Sequence, residues 1–250
     1  STPIKSSAAS DVYKRQVQNE KIKHLKRLLK DKSYMFLDNP KLITEAVKAG
    51  MSIEYTIFKE SYAGKTDYGG EEILVSEEVF KGFSQTVTSQ GLIGVVKFKS
   101  KELTVPKANF LVLDEIQDPG NVGTLLRSAL GADFKDIYLL NCARVSSDKV
   151  IRSSMGAIFK LNIYECSKNE FLSICSGLHM CFADMFGENI YKTKLPSPIG
   201  VVVGNEGNGV SKELKEACSF SVSIPMANDL ESLNASVAGS IIMYQIYSRS

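Results

Sequence analysis

Polar side chains are concentrated in two short loops in the C-terminal half of the chain, each between an apolar segment and a helical pattern. In "DEIQDPGNVGTLLRSA", Asn121 precedes Arg127 by nearly two turns of the predicted helix. In "VVVGNEGNGVS", three glycines surround Asn205, Glu206 and Asn208. Such a turn exposes backbone that a flat ligand can approach closely, and the Glu206 carboxylate suits a neutral or cationic ligand. A plain glycine-rich turn is the alternative that this loop leaves open.

The second loop does not match the common nucleotide-binding motifs. Its "GNEGNGVS" has the glycine spacing of a phosphate-binding loop, but Val210 stands where that motif requires a lysine. It also lacks the G-x-G-x-x-G pattern, and no acidic residue ends the following strand as a dinucleotide fingerprint requires. These departures argue against an ordinary ATP- or NAD-dependent enzyme.

A third polar stretch begins the last helix of the chain. The segment "IPMANDLESLNASVAGSIIMYQIY" ends as an apolar helix, and its polar residues precede or enter that helix: Asn228, Asp229, Glu231, Ser232, Asn234 and Ser236. Helix capping explains such residues, because Ser, Asn and Asp satisfy the free N–H groups of a first turn, and Ser232 is one expected cap. A ligand site at the same place is the alternative.

The elements around these stretches predict an α/β fold. From Phe110 onward, short strands that are apolar on both faces alternate with helices, a pattern typical of a mostly parallel sheet covered by helices. Ligands bind such sheets at the carboxyl ends of the strands. The domain pattern is a leader or cloning remnant over 1–15, a smaller α/β domain over 16–100, a linker over 101–108 and the parallel-sheet domain over 109–250.

Composition limits the class of protein. The chain has 250 residues, of which 44% are hydrophobic and 23% charged, which is ordinary for a globular protein. Its five cysteines include no C-x-x-C pair and it has two histidines, so neither a disulfide framework nor a zinc site is indicated. No apolar run is long enough for a membrane span or a signal peptide, and the expected location is the cytoplasm.

Basic residues are in excess near the N-terminus. In "YKRQVQNEKIKHLKRLLKDK", Ile22, Leu25, Leu28 and Leu29 form an apolar helical stripe, and the rest of the surface is largely basic. The residues predicted to contact RNA are Lys23, Lys26, Arg27 and Lys30. Such a face suits a phosphate backbone, although a solvated helix surface is the alternative.

The order of "DPGNVGTLLRSA", "IRSSMGAIFKL", "VVVGNEGNGVS" and "IPMANDLESLNASVA" resembles the SpoU (TrmH-type) family of RNA ribose 2′-O-methyltransferases, within the SPOUT superfamily. The front segments "KIKHLKRLLKDK" and "KLITEAVKAG" resemble the family's RNA-substrate domain. Two departures affect that domain: "FLDNP" replaces a frequent phenylalanine-valine-glutamate-glycine sequence, and Ser89 stands where proline is common.

The resemblance implies a fold and a cofactor. The C-terminal domain is expected to be a trefoil-knotted, mostly parallel sheet with helices on both faces, one of the rare exceptions to the rule against knots. The cofactor is expected to be S-adenosylmethionine, held in a bent conformation. Its expected contacts are Gly204, Ile224, Met226, Leu233 and Asn234.

The resemblance also implies the catalytic residues, which are Asn121, Arg127, Glu206, Ser232 and Asn234. The family account assigns the base to Arg127, but a guanidinium is effectively always protonated. We therefore expect Arg127 to hold an RNA phosphate and stabilise the developing alkoxide, while Asn121, Ser232 and Asn234 position the ribose. Glu206 is the only carboxylate of these motifs that could accept a proton, unless it merely fixes its loop. A sulfonium donor is already activated, so no metal is expected.

The expected partners are RNA and a second copy of the chain. Ribosomal RNA is the expected substrate, with transfer RNA and a non-catalytic RNA-binding role as alternatives. SpoU enzymes are homodimers whose sites borrow from both protomers. The apolar final helix, with Ile241, Ile242, Tyr244 and Ile246, could serve an interface as well as a core.

Overall fold

The computed structural model describes residues 7–64, 67–84, 89–227 and 232–249, with side chains from residue 19 onward. The chain divides into two compact units. The first comprises Ser1–Ile43 and Ser52–Phe98, and the second Thr44–Met51 and Lys99–Ser250. The expectations for residues 1–6 and for Asn228, Asp229 and Glu231 lie outside the described residues.

The elements up to residue 98 are, in chain order, α1 (Ser7–Lys30), β1 (Tyr34–Leu37), α2 (Pro40–Lys48), β2 (Ile53–Lys59), β3 (Glu71–Val75), α3 (Glu77–Lys81) and β4 (Leu92–Lys97). The strands form one sheet in the order β1-β4-β2-β3, in which only β2 and β3 pair in parallel. Helix α1 begins at Ser7, within the segment for which the sequence predicts a leader.

The apolar stripe of α1 is confirmed as a core-facing surface. Leu25 and Leu28 are buried together with Phe80 and Phe83, and Ile22 packs against the same cluster. Burial of this stripe fixes which side of α1 faces the solvent, and the basic residues lie on that side.

The elements from residue 99 onward are β5 (Phe110–Asp114), α4 (Pro119–Gly131), β6 (Asp136–Leu140), α5 (Asp148–Ser154), a 3-10 helix (Ala157–Lys160), β7 (Asn162–Cys166), α6 (Lys168–Ile174), β8 (Met180–Asn189), β9 (Gly200–Gly204), α7 (Lys212–Ala217), β10 (Phe220–Ser223) and α8 (Ala235–Tyr247). The six strands form one sheet in the order β10-β8-β9-β5-β6-β7.

Every strand pairing in this six-stranded sheet is parallel, so the predicted α/β fold with a parallel sheet is confirmed. All five residues of β5 are buried, as expected for a central strand that is covered on both faces. The trefoil knot stays a prediction.

The direction of the strand order reverses between β5 and β9. The chain runs from β5 outward through β6 and β7, and then returns to place β8, β9 and β10 on the other side of β5. Asp114 and Gly204, the last residues of β5 and β9, are paired in register. In open α/β sheets ligands bind at such a switch point, outside the carboxyl ends of the strands. The loops after β5 and β9 therefore meet where a ligand is expected.

Other features of the second unit and of the whole chain bear on function. Helix α8 packs closely on α4 at Gly239, where a Cβ atom would lie 2.7 Å from Leu125 Cδ2. None of the helices in the described ranges is long and apolar enough to cross a membrane. Within the same ranges, no group of three or more His, Cys, Asp or Glu side chains is arranged to hold a metal ion.

Candidate functional site

The loop after β9, residues 205–210, is a compact turn. The Asn205 side chain accepts hydrogen bonds from the backbone N–H groups of Gly207 and Asn208, at 2.9 and 3.1 Å. The chain folds back so tightly that a Cβ atom on Gly204 would lie 2.2 Å from the carbonyl carbon of Gly209. Glycine is therefore required at position 204, and the loop holds a fixed shape beside the end of β5.

The N-terminus of α4 is fixed by Asp118. Its carboxylate accepts from Asn121 N at 2.9 Å and pairs with Lys149 Nζ at 2.9 Å, while Pro119 occupies the first turn of the helix. The hydrogen bond from Lys149, followed by that from the Asn121 backbone, lowers the pKa of Asp118. The helix start, and with it Asn121, is held in one position.

The N-terminus of α8 is capped by Asn234. Its Oδ1 accepts from the backbone N–H groups of Ser236 and Val237, at 2.9 and 3.3 Å. The expected capping role of Ser232 is wrong, because the helix begins at Ala235 and Asn234 is the residue that immediately precedes it. Ser232 remains close to the site without serving the helix start.

A chain of hydrogen bonds joins the three polar stretches. Asn234 Nδ2 donates to Asn121 Oδ1 at 3.0 Å, and Asn121 Nδ2 donates to Glu206 Oε1 at 2.9 Å. The direction of this chain is fixed at α8, because Asn234 Oδ1 already accepts from the helix backbone. Asn234 can therefore offer only its amino group to Asn121, and Asn121 only its amino group to Glu206. The network requires Glu206 as an acceptor, which favours its carboxylate form.

The pKa of Glu206 follows the same logic. Burial raises the pKa, but the hydrogen bond from Asn121 and those from the backbone N–H groups, including Asp118 and Gln117, lower it by more. The pKa therefore lies below its ordinary value, and Glu206 is ionised at neutral pH.

A cavity of about 450 Å³ lies beside this network. Its walls come from β8, β9, the segment after β10 and the first turns of α8. The predicted residues that line it are Gly204, Glu206, Ile224, Met226, Ser232, Leu233 and Asn234. All five residues predicted to hold the cofactor are thus brought to one cavity, together with three of the five predicted catalytic residues. Its volume is in the range of small-molecule sites.

Two predicted catalytic residues lie outside the cavity wall. Asn121 reaches the site through its bonds to Glu206 and Asn234. Arg127 lies six positions farther along α4, which is about 9 Å along the helix axis and about 120° around it. Its side chain is exposed, and in the part of the chain that the structure describes it has no ion-pair partner. Arg127 is therefore not brought to the cavity of its own protomer.

Sequence reasoning missed one wall of the cavity. Strand β8 leaves its pairing with β10 after Phe182 and resumes it at Glu188, so that residues 183–187 form an excursion. Asp184 and Met185 of this excursion line the cavity. The apolar run "MCFADMF" predicts a strand but carries no signal for a break in pairing. Asp118 was likewise not assigned a role, although an Asp-Pro pair before a helical pattern is a cap signal.

The predicted RNA-contact residues lie in the first unit. Lys23, Lys26, Arg27 and Lys30 are exposed on α1, and their spacing places them on one contiguous strip of the helix. Lys21, beside them, is instead paired with Glu71 of β3.

Comparisons with known proteins agree with this architecture. The model of the SpoU rRNA methylase family matches residues 108–244. The 23S rRNA (guanosine(2553)-2′-O)-methyltransferase RlmP of Bacillus subtilis is 25% identical over 248 residues, covering 92% of this chain and 96% of that protein.

Solved structures are also similar. A TrmH-family protein from Porphyromonas gingivalis is 28% identical with a TM-score of 0.80, covering 92% of this chain and 97% of that one. The SpoU methyltransferase AviRb from Streptomyces viridochromogenes, in complex with AdoMet, is 21% identical with a TM-score of 0.81 and the same coverage, and supports the fold alone. The resemblance drawn from the sequence motifs is confirmed: the chain belongs to the SpoU rRNA methylase family.

Proposed function

We propose that the protein transfers a methyl group from S-adenosylmethionine to a ribose 2′-hydroxyl of structured RNA, with ribosomal RNA as the substrate. The observation that carries this proposal is the hydrogen-bonded network Asn234–Asn121–Glu206 at the edge of a single cavity. The coverage of both chains by the similarity to RlmP, whose name specifies rRNA 2′-O-methylation, supports the same substrate.

The cavity residues fit S-adenosylmethionine. Ile224, Leu233 and Ile242 give the cavity apolar walls that suit an adenine ring, and Glu206 and Asn234 place polar groups at its rim. The loop that starts at Gly204 is folded tightly enough to present backbone rather than side chains. When bound, this cofactor supplies a methyl group that is already activated on a sulfonium.

The reaction then requires alignment of the 2′-oxygen and removal of a weakly acidic proton. Asn121 and Asn234 are fixed by the network and by the α8 backbone, so they can orient a ribose without reorganising. Glu206 is ionised and can accept the proton. Arg127, which is always protonated, supplies positive charge for an RNA phosphate and for the developing alkoxide.

We propose that the first unit, within residues 16–100, binds RNA through α1. Replacing Lys23, Lys26, Arg27 and Lys30 with glutamine should weaken RNA binding and flatten its salt dependence by about 0.7 log units per lost single-stranded phosphate contact. The affinity for S-adenosylmethionine should stay unchanged. Filter binding at several salt concentrations measures the slope. The matched control replaces four exposed lysines elsewhere, Lys135, Lys192, Lys194 and Lys212. Equal slopes for the α1 variant and the parent would leave α1 a solvated surface.

We also propose a homodimer in the cytoplasm. Val237, Tyr244 and Tyr247 are 46%, 49% and 50% exposed on α8, which leaves apolar surface on this helix. In contrast, Ile242 and Ile246 are buried within the protomer. Light scattering at micromolar concentration should give twice the mass of the chain, and a monomer would contradict the assembly.

Two measurements test the proposed function. Calorimetry with S-adenosylmethionine should detect binding, and mapping of 2′-O-methylation in cells with and without the protein should reveal a ribosomal nucleotide that depends on it. A changed transfer RNA nucleotide would redirect the substrate to tRNA. A folded protein that binds RNA but not S-adenosylmethionine would be a non-catalytic relative.

A further inference from the structure

A buried carboxylate lies behind the loop of residues 205–210 and has no role in the reaction described above. Asp114, the last residue of β5, is 1% exposed. Its Oδ2 accepts from the backbone N–H of Ser211 at 2.7 Å, while its Oδ1 has no hydrogen-bond partner among the described residues. A buried charged group in this state needs compensation from elsewhere.

The compensation comes from Lys168, at the start of α6. Its Nζ lies 3.7 Å from Asp114 Oδ1, 3.5 Å from Glu115 Oε1 and 3.9 Å from Glu213 Oε2. Lys168 is only partly exposed and follows Ser167, which forms a capping box with Glu170. One cation on a rigid helix start therefore connects the end of β5 to helix α7.

These contacts control both ends of the loop. Gly204, where the loop begins, is paired in register with Asp114. Ser211, where the loop ends, donates its N–H to Asp114, and Glu213, two residues later, reaches Lys168. Because Asp114 and Lys168 contact both flanks of residues 205–210, a change in their charge acts on the position of the whole loop.

We propose that Asp114 and Lys168 form a positioning pair that holds the loop of residues 205–210, and with it Gly204 and Glu206, in the arrangement that binds S-adenosylmethionine. The proposal rests on the proposed function, since it names residues behind the cofactor cavity. Neither residue lines that cavity, so both act through the loop.

The first test replaces Lys168 with methionine, which keeps the length of the side chain and removes its charge. The dissociation constant and the KM for S-adenosylmethionine should rise about tenfold, while kcat at saturation and the affinity for RNA stay within about twofold. Lys168→Arg should restore most of the affinity. Lys135→Met, which removes an exposed partner of Asp133, is the matched control and should bind like the parent.

The second test measures the loop directly and does not depend on activity. Amide hydrogen exchange over residues 205–211 of the full chain without ligand should be faster in Lys168→Met, with exchange in α5 unchanged. Asp114→Asn should give a similar loss of affinity, and the double variant should be no worse than either single variant.

The outcomes separate this proposal from the function itself. Parental cofactor affinity and parental loop exchange in Lys168→Met would overturn the positioning role and leave the methyltransferase function standing. A parent that binds no S-adenosylmethionine would overturn the function, and the positioning role would fall with it. A uniform loss of kcat and RNA affinity, without a selective effect on the cofactor, would also overturn the proposal.

Discussion

Replacement of Arg127 by alanine is expected to lower the single-turnover rate of methyl transfer by about 100-fold or more, which is typical for loss of a group that stabilises developing charge. The affinity for S-adenosylmethionine should stay within about twofold of the parent, because Arg127 does not line the cavity. Arg127→Lys should retain partial activity, since lysine keeps the charge but loses bidentate contact with a phosphate.

The matched control is Arg152→Ala. Arg152 is also an exposed helical arginine, but it is paired with Asp148 at 2.7 Å and its loss should change the rate by less than about twofold. If Arg127→Lys is as inactive as Arg127→Ala, charge alone is not what Arg127 supplies. If Arg127→Ala loses cofactor affinity, its role is in binding the cofactor rather than in the reaction.

A mixing experiment locates the site that Arg127 serves. In the proposed homodimer, Arg127→Ala and Asn234→Ala subunits are each inactive, and random mixing makes half of the dimers mixed. If Arg127 acts in the site of the partner subunit, one site of each mixed dimer contains neither defect, and about a quarter of the parental activity should return. If Arg127 acts in its own protomer, no activity should return on mixing.

Much of the site could be predicted from the sequence, because its residues belong to loops that follow apolar strands. Parallel strands put these loops at the same edge of the sheet, so Asn121 and Glu206 meet although 85 positions separate them. The choice of cap could not be predicted. Ser232 and Asn234 are both good caps, and only the start of the backbone helix at Ala235 decides between them.

Features set by tertiary contacts also escaped the sequence. Strand β7 was not singled out, because this edge strand is short and carries the polar residues Asn162 and Glu165. The pairing of Lys168 with Asp114 depends on two loops that come together only in the folded sheet. Conversely, Asp38 and Ser89, which were noted separately as departures from the family pattern, are joined by a hydrogen bond in the first unit.

The second large effect is expected at Glu206. Glutamine at this position keeps an oxygen that can accept from Asn121 Nδ2, so the network and the cavity should persist. It cannot take up a proton. Glu206→Gln should therefore bind S-adenosylmethionine and RNA like the parent, and its single-turnover rate should fall by about 100-fold, the lower range for loss of a general base.

The pH dependence gives a separate measurement of the same role. Because hydrogen bonds outweigh burial and lower the pKa of Glu206, the active carboxylate is present at neutral pH and is lost only as the pH falls through that lowered pKa. The parent rate should consequently be level near neutrality and decline only in acid, and this acid decline should disappear in Glu206→Gln. Glu206→Ala serves as the comparison, because it removes the acceptor as well as the charge and should disturb Asn121. A Glu206→Gln enzyme with the parental rate and pH profile would make Glu206 a positioning acceptor for Asn121, and the proton would then pass to water or to a phosphate of the RNA.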